Sequence, residues 1–283
     1  MRYLIGVTTA IGWLTSLFAV RCDAQPVDRS LEIEWANNIL IIQGDFPGKQ
    51  LKTWYLEAYC RPNSHETDWS KHTVVGHQTR LVEATKDKKK IRLQCKLKDG
   101  VIVDHTIKVQ KDNIDFQLIA RNPTDKRSLA HWAQPCIRVG GFTGLSDSKK
   151  KASYDYLKKS FVFQNGLLQT MPTKDWATQA RYTPGQVWRA PNVKAADVNP
   201  RPLNPNVPDY GLIGCFGKND RLLMATAWEP YQELFQGVIT CLHSDFRIGG
   251  LNPGEQKKIK GKIYILANDT DALLKRYKRD FQK

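Results

Sequence analysis

The sequence predicts an all-β protein, a large antiparallel sandwich closed by one short C-terminal helix. Three observations carry that expectation. Apolar residues alternate with polar ones over short runs, the runs are bounded by turn residues, and helical periodicity is nearly absent before residue 269. Alternation with period two buries one face of a strand, and regular turn spacing of roughly 8 to 12 residues is the pattern of a sandwich.

The runs follow one another in a meander. LEIEW and ILIIQ flank Asn37-Asn38, and TWYLEAYC follows the turn FPGK. HTVVGHQTRLVEA leads into KDKKK at 86–90, which reads as a hairpin tip. IRLQCKL and VIVDHTIKV flank Lys98-Asp99-Gly100, a tight-hairpin signal. IDFQLIARN and LAHWAQPCIRV continue the series, and SFVFQNGLLQTM reads as a further hairpin. Residues 171–210 then hold seven prolines, too many for a central strand. Trp176, Tyr182 and Trp188 in the same stretch argue for a long ordered excursion across one face of the sheet. RLLMATAWE, GVITCLHSDF and KIKGKIYIL complete the strands. DTDALLKRYKRDF closes the chain as a helix, capped by Asp269 or Thr270, with Leu273, Leu274 and Tyr277 on one side.

The N-terminus reads as a leader. One basic residue precedes an apolar run from Tyr3 to Val20, and Cys22-Asp23-Ala24 offers small residues for cleavage after Ala24. The run sits at the lower limit for a membrane-spanning helix, which leaves an anchor as the alternative. Residues 1–24 are thus expected to be a signal peptide and 25–283 a single domain, secreted or periplasmic, with no membrane association after cleavage. The net charge of +15 fits a solvated basic surface, or attraction to acidic partners such as sulfated or uronic-acid polysaccharides. Nucleic acid is not expected, since no binding motif is present. Beyond the leader lie Cys60, Cys95, Cys136, Cys215 and Cys241, an odd number with no metal-binding spacing. Cys60 and Cys95 could pair as a disulfide; buried free thiols are the alternative.

Several short motifs, in order from about residue 30 to 267, resemble the galactose mutarotase-like (aldose epimerase-like) superfamily. Gly76-His77-Gln78-Thr79-Arg80 is similar to that family's His-Gly-x-x-Arg segment. IRLQCKLKDGVIVDHTIKV is similar to its paired strands, and IDFQLIARNPTDKRSLAHW to its strand with an Asn-Thr signal and histidine. GVITCLHSDF, LNPGE and YIL together resemble its terminal strands. The resemblance implies a two-sheet supersandwich and a sugar site. It also implies that His131 stands where the family has its acid. His243 stands where the family has the carboxylate base, which is a departure from the family pattern.

Taken on their own, the residues point to the same two segments. In HWAQPCIRV, alternation sets His131 opposite in face to Trp132, Gln134 and Cys136, and a ring beside polar groups suits a sugar. In TCLHSDFR, alternation puts Cys241, His243, Asp245 and Arg247 on one face, a reactive set for an outer surface. His131, His243 and Asp245 are the expected acid–base residues, since imidazole titrates near neutrality. Trp132, Gln134, Arg138, His77, Arg80 and Arg247 are expected to contact substrate, with Glu229 as the reserve carboxylate. Tyr55, Glu57, Tyr59 and Arg61 form a second polar-aromatic face by alternation. His131, His243 and Asp245 are also acceptable zinc ligands, but no His-x-His or His-Glu-x-x-His spacing supports them, so neither a metal nor a cofactor is expected. The function expected is that of a secreted carbohydrate-active protein with epimerase- or lyase-type proton transfer. A non-catalytic glycan-binding or cell-envelope structural protein is the alternative.

Overall fold

The computed structural model describes residues 28–63, 69–145, 156–171, 187–199, 203–237 and 240–282. The leader and residues 172–186 of the proline-rich stretch, with Trp176 and Tyr182, lie outside the described residues. Within them the chain forms two antiparallel sheets and a C-terminal helix.

The first half supplies β1 (Glu32–Ala36), β2 (Ile39–Gln43), β3 (Gln50–Cys60), β4 (Val74–Val75), β5 (His77–Ala84), β6 (Lys90–Leu97), β7 (Ile102–Val109) and β8 (Asn113–Arg121). Next come β9 (Trp132–Arg138), the short turns α1 (Gly140–Thr143) and α2 (Tyr156–Lys159), and the hairpin β10 (Ser160–Gln164) with β11 (Leu167–Thr170). The chain ends with β12 (Val187–Arg189), β13 (Leu212–Phe216), β14 (Leu222–Glu229), β15 (Tyr231–Gly237), β16 (Cys241–Arg247), β17 (Gln256–Ala267) and α3 (Thr270–Phe281). One sheet has the order β1-β2-β3-β9-β16-β15-β12, with β4 on β3. The other runs β11-β10-β13-β14-β17-β8-β7-β6-β5. The expected all-β sandwich with a terminal helix is therefore what the chain forms.

The alternation of β6, β7 and β8 aims Ile91, Leu93, Val103, Ile107, Phe116 and Leu118 into the space between the sheets. There they meet a chain of aromatic rings: Tyr55 lies 5.5 Å from Phe116, Phe116 lies 5.1 Å from Trp228, and Trp228 lies 4.9 Å from Phe246. Such rings bury large apolar areas and prefer tilted contacts of this kind. A buried polar relay crosses the same core. The two ring nitrogens of His105 on β7 lie 2.9 Å from the Tyr55 hydroxyl and 3.2 Å from the Tyr59 hydroxyl. Burial pushes the His105 imidazole down to about 3.

Each sheet's far face is covered by a different device. Over the nine-stranded sheet lies α3, whose Leu273, Tyr277 and Phe281 pack on Phe161, Leu223, Ala225 and Tyr264. The Asp269 side chain caps it, accepting from the Ala272 N–H at 2.9 Å. Over the eight-stranded sheet lies irregular chain from the proline-rich stretch, where Ala190, Val193 and Val198 pack against Phe235 of β15. No helix among the described residues is long and apolar enough to cross a membrane.

Two sequence expectations are corrected here, and of the two alternatives for the cysteines the buried free thiols are the one observed. YQELFQG forms the strand β15 and LIGCF forms β13, two strands that the meander of alternating runs does not include. All five described cysteines are free and buried; Cys60 lies in one sheet and Cys95 in the other, so they do not pair. The alternation of TWYLEAYCR breaks at Leu56, which adopts φ +64°, a left-handed conformation rare for a branched residue. Tyr55, continuing the buried face of Leu51 and Thr53, and Tyr59 both turn to His105 in the core, and they form no outer face with Glu57 and Arg61.

Candidate functional site

Strand register assembles the site on the far face of the eight-stranded sheet. In β16, Leu242 and Phe246 belong to the core between the sheets, so Cys241, His243, Asp245 and Arg247 point the other way. Cys241 pairs with Arg138 of β9 and with Gly237 of β15; His243 pairs with Phe235. The same register sets His243 opposite Cys136, and Asp245 between Gln134 and Glu233. Across from β9, Trp54 of β3 pairs with Cys136, Lys52 with Arg138 and Ala58 with Gln134. Three ranks of side chains thus run across β15, β16, β9 and β3: Glu233–Asp245–Gln134–Ala58, Phe235–His243–Cys136–Trp54, and Gly237–Cys241–Arg138–Lys52.

The middle of this array is sealed. Glu233 and Asp245 are 0% exposed and His243 2%. The His243 ring stacks on Phe235 at 4.2 Å with a 7° interplanar angle. Its Nδ1 lies 3.5 Å from Asp245 Oδ1, and its Nε2 lies 3.4 Å from Cys241 Sγ. Gly237 is required beside it, because a Cβ there would stand 2.3 Å from Cys241 Sγ. Among the described residues the four carboxylate oxygens of Glu233 and Asp245 meet only each other and His243 as polar neighbours of this cluster. Burial, with Asp245 beside it, pushes the Glu233 carboxyl well above the usual range. Burial also pushes Asp245 up to about 6, against the pull of His243. Burial opposes the His243 cation, but Cys136 and Asp245 outweigh it and push the imidazole up to about 10. Protons in this cluster belong to the group as a whole.

A second polar knot adjoins the first. Arg247 Nη1 donates to Asp197 Oδ2 at 2.9 Å and also bonds Gln232. His131 Nδ1 lies 3.7 Å from the same Asp197 oxygen. Gln232 Nε2 donates to the Asp197 carbonyl at 2.9 Å. Burial works against the Asp197 charge, yet the His131 and Arg247 partners hold its carboxyl below the ordinary value. Gly250, at φ +73°, permits this placement of His131, because a Cβ there would stand 2.6 Å from His131 Nε2.

The residues expected from sequence divide between two places. His131, Gln134, Arg138, His243, Asp245 and Arg247 come to this array or its edge. Trp132 shares the face but is fully buried against Ala58 and Cys60, so it offers no open ring. His77 and Arg80 sit on β5 of the other sheet, where His77 packs edge-on against Tyr59 at 5.0 Å and Arg80 bonds Gln94. Glu229 is exposed on β14, opposite Lys260 in register, away from His243. The carboxylate beside Asp245 is Glu233. Its strand lacks the apolar alternation that would have marked it, and Asp197 comes from irregular chain with no local signal.

Two open grooves flank the array and share Trp54, which is 39% exposed. One, of about 360 Å³, is lined by Gln50, Lys52, Trp54 and Arg138 among others. The other, of about 680 Å³, is lined by Trp54, Glu57, His77, Arg80, Gln94 and Lys96 among others. His77 and Arg80 therefore lie on a different groove from the one that Arg138 lines.

The chain matches no protein-family model and no curated protein sequence. Solved structures similar to it include a galactose mutarotase related enzyme from Lactobacillus acidophilus, at 7% identity and TM-score 0.45, covering 83% of this chain and 97% of that one. A galactose mutarotase-like protein from Lactobacillus casei ATCC 334 is 7% identical, with TM-score 0.43 and coverage of 83% and 99%. A galactose 1-epimerase from Lactobacillus acidophilus NCFM is 10% identical, with TM-score 0.36 and coverage of 84% and 98%. At these identities the likeness is one of fold alone.

Proposed function

We propose that this is an exported carbohydrate-binding protein whose contact surface centres on Trp54. The observation that carries the reading is an exposed indole walling two grooves, with Lys52 and Arg138 in one and Glu57, His77, Arg80 and Lys96 in the other. An indole face packs on the C–H face of a pyranose, and flanking cations hold carboxylate or sulfate groups. The net charge of +15 adds long-range attraction for a polyanion. Uronic-acid or sulfated glycans are the partners this chemistry favours over neutral ones.

Calorimetric titration with neutral and acidic oligosaccharides tests the reading. Trp54→Ala is expected to weaken binding of the acidic glycan about tenfold or more, equivalent to roughly 1.4 kcal/mol. Binding by the unchanged protein should weaken as salt is raised. Equal affinity in the two proteins would remove the indole from the site. Export rests on the leader read in residues 1–24, so the mature chain is expected to begin at Gln25. N-terminal sequencing of the protein recovered from outside the cytoplasm checks this, and an uncleaved leader there would sink it.

A second reading adds chemistry to binding, and the stranded carboxylates favour it. Two fully buried acids beside an imidazole cost stability, and such arrangements cluster at sites of proton transfer. In this reading Glu233 holds a proton, while the Asp245–His243 pair exchanges one with an anomeric hydroxyl or a carbon next to a uronic carboxylate. The reaction class is epimerisation or β-elimination. His131, tied to Asp197, acts here as a positioning residue.

A further inference from the structure

The geometry points to a metal site at Cys136, Cys241 and His243, one that takes a thiophilic ion such as Zn²⁺. Neither the carbohydrate reading nor any residue spacing in the sequence assigns it. The donor atoms come from two neighbouring strands, and all of them lie within 4.8 Å of one another. A tetrahedral ion, with bonds of about 2.3 Å to sulfur and 2.0–2.1 Å to nitrogen, sets sulfur and nitrogen about 3.6 Å apart and two sulfurs about 3.8 Å apart. The Cys241 Sγ to His243 Nε2 separation of 3.4 Å is close to that spacing. No donor would have to change strand, face or register to close on an ion.

The surroundings fit the same conclusion. A ligating histidine characteristically offers its other ring nitrogen to a carboxylate, which fixes the tautomer and aims the lone pair at the metal. His243 has this disposition: Nε2 faces the Cys241 sulfur, while Nδ1 faces Asp245 Oδ1 at 3.5 Å. Phe235, stacked on the ring, prevents it from rotating out of place. His243 Nδ1 and both Asp245 oxygens are buried without a hydrogen-bond partner, so the pair is set up without being satisfied by the rest of the protein. Tightening around an ion would shorten this contact to a full hydrogen bond. Arg138, in register with Cys241, sets a cation beside the two sulfurs. A Zn²⁺ ion with two thiolates is neutral overall, which permits its burial where a bare cation would be excluded.

Binding is written Zn²⁺ plus two thiols and the His243 imidazolium giving the dithiolate complex and three protons released to water. His243 is left neutral, with its remaining proton on Nδ1. One tetrahedral position is then left for a water or a small ligand. Cys60, Cys95 and Cys215 take no part, because among the described residues the thiols gathered with an imidazole are those of Cys136 and Cys241.

The test uses the full mature chain. Purified protein is loaded with Zn²⁺, dialysed and analysed for zinc; loading with Co²⁺ is followed by absorption spectroscopy. About one ion per chain is expected, with a sulfur-to-cobalt charge-transfer band in the near ultraviolet. Both should vanish in Cys136→Ser and Cys241→Ser and persist in Cys215→Ser. Asp245→Asn is expected to keep the band but weaken Zn²⁺ affinity by about 10- to 100-fold. If the cysteine variants do not fold, the cobalt spectrum of the unchanged protein decides alone, because thiolate ligation produces the band and oxygen ligation does not. An unchanged protein that binds no Co²⁺, or binds it without the band, overturns the proposal. So does a native mass two hydrogens light with Cys136 and Cys241 joined, which would make the pair a disulfide.

Discussion

His105→Phe is expected to abolish a large part of the protein's sensitivity to acid. The imidazole is enclosed by Tyr55 and Tyr59, and burial holds it neutral down to about pH 3. An unfolded chain takes up that proton below about pH 6.5. The folded value is depressed, so the stability it confers is fully present above pH 6.5 and is lost as pH falls towards 3. About 3.5 pH units at 1.36 kcal/mol each give a loss on the order of 4–5 kcal/mol. The variant should lack this loss while starting lower at pH 7, because two buried phenols lose their partner at about 1–3 kcal/mol each. Urea unfolding from pH 3.5 to 7.5 separates the two effects. The carboxylates titrate alike in both proteins, so the difference between the curves isolates His105. Parallel curves would refute the assignment.

The second large effect has the opposite sign. Glu233→Met is expected to stabilise the fold by about 1–4 kcal/mol, the range seen when buried charged groups yield to apolar residues of similar volume. Glu233 is wholly buried beside the Asp245 carboxyl, and its own carboxyl is held well above the ordinary value. An unfolded chain gives up that proton above about pH 4.5, so the native glutamate costs more stability as pH rises past that point. The advantage of the variant should therefore widen between about pH 4.5 and 7. If the site performs proton transfer, the same substitution removes turnover and leaves binding at Trp54 intact. A variant less stable than the native protein at pH 7 would show that the carboxyl is stabilised by its surroundings rather than stranded in them.

These two groups also explain why some of the molecule is legible in sequence and some is not. β6, β7 and β8 are readable because one face of each is polar and the other buried, and period-two alternation follows directly. The face of Cys241, His243 and Asp245 is readable because polar types alternate there with Leu242 and Phe246, although both faces of that strand are buried. β15 is not, because it is buried on both faces and still carries Gln232, Glu233 and Gln236. Composition marks such residues as surface, and only the register with β16 reveals that Glu233 meets Asp245. Likewise, nothing local marks Leu56 as the residue that takes a left-handed backbone in the middle of its strand. GHQTR fails differently: the segment is a strand as expected, but it lies in the sheet opposite His243.

The unequal covers of the two sheets carry a consequence for access. The helix that roofs one sheet is a cooperative unit with repeating hydrogen bonds and several buried rings. The chain that roofs the other is pinned by fully buried Trp188, by one short strand pairing and by the Asp197 ties to Arg247 and Gln232. That cover therefore depends on one carboxylate in a way that the helical cover does not. Removing the Asp197 carboxylate would loosen the roof over the acidic ranks and leave every central ladder intact.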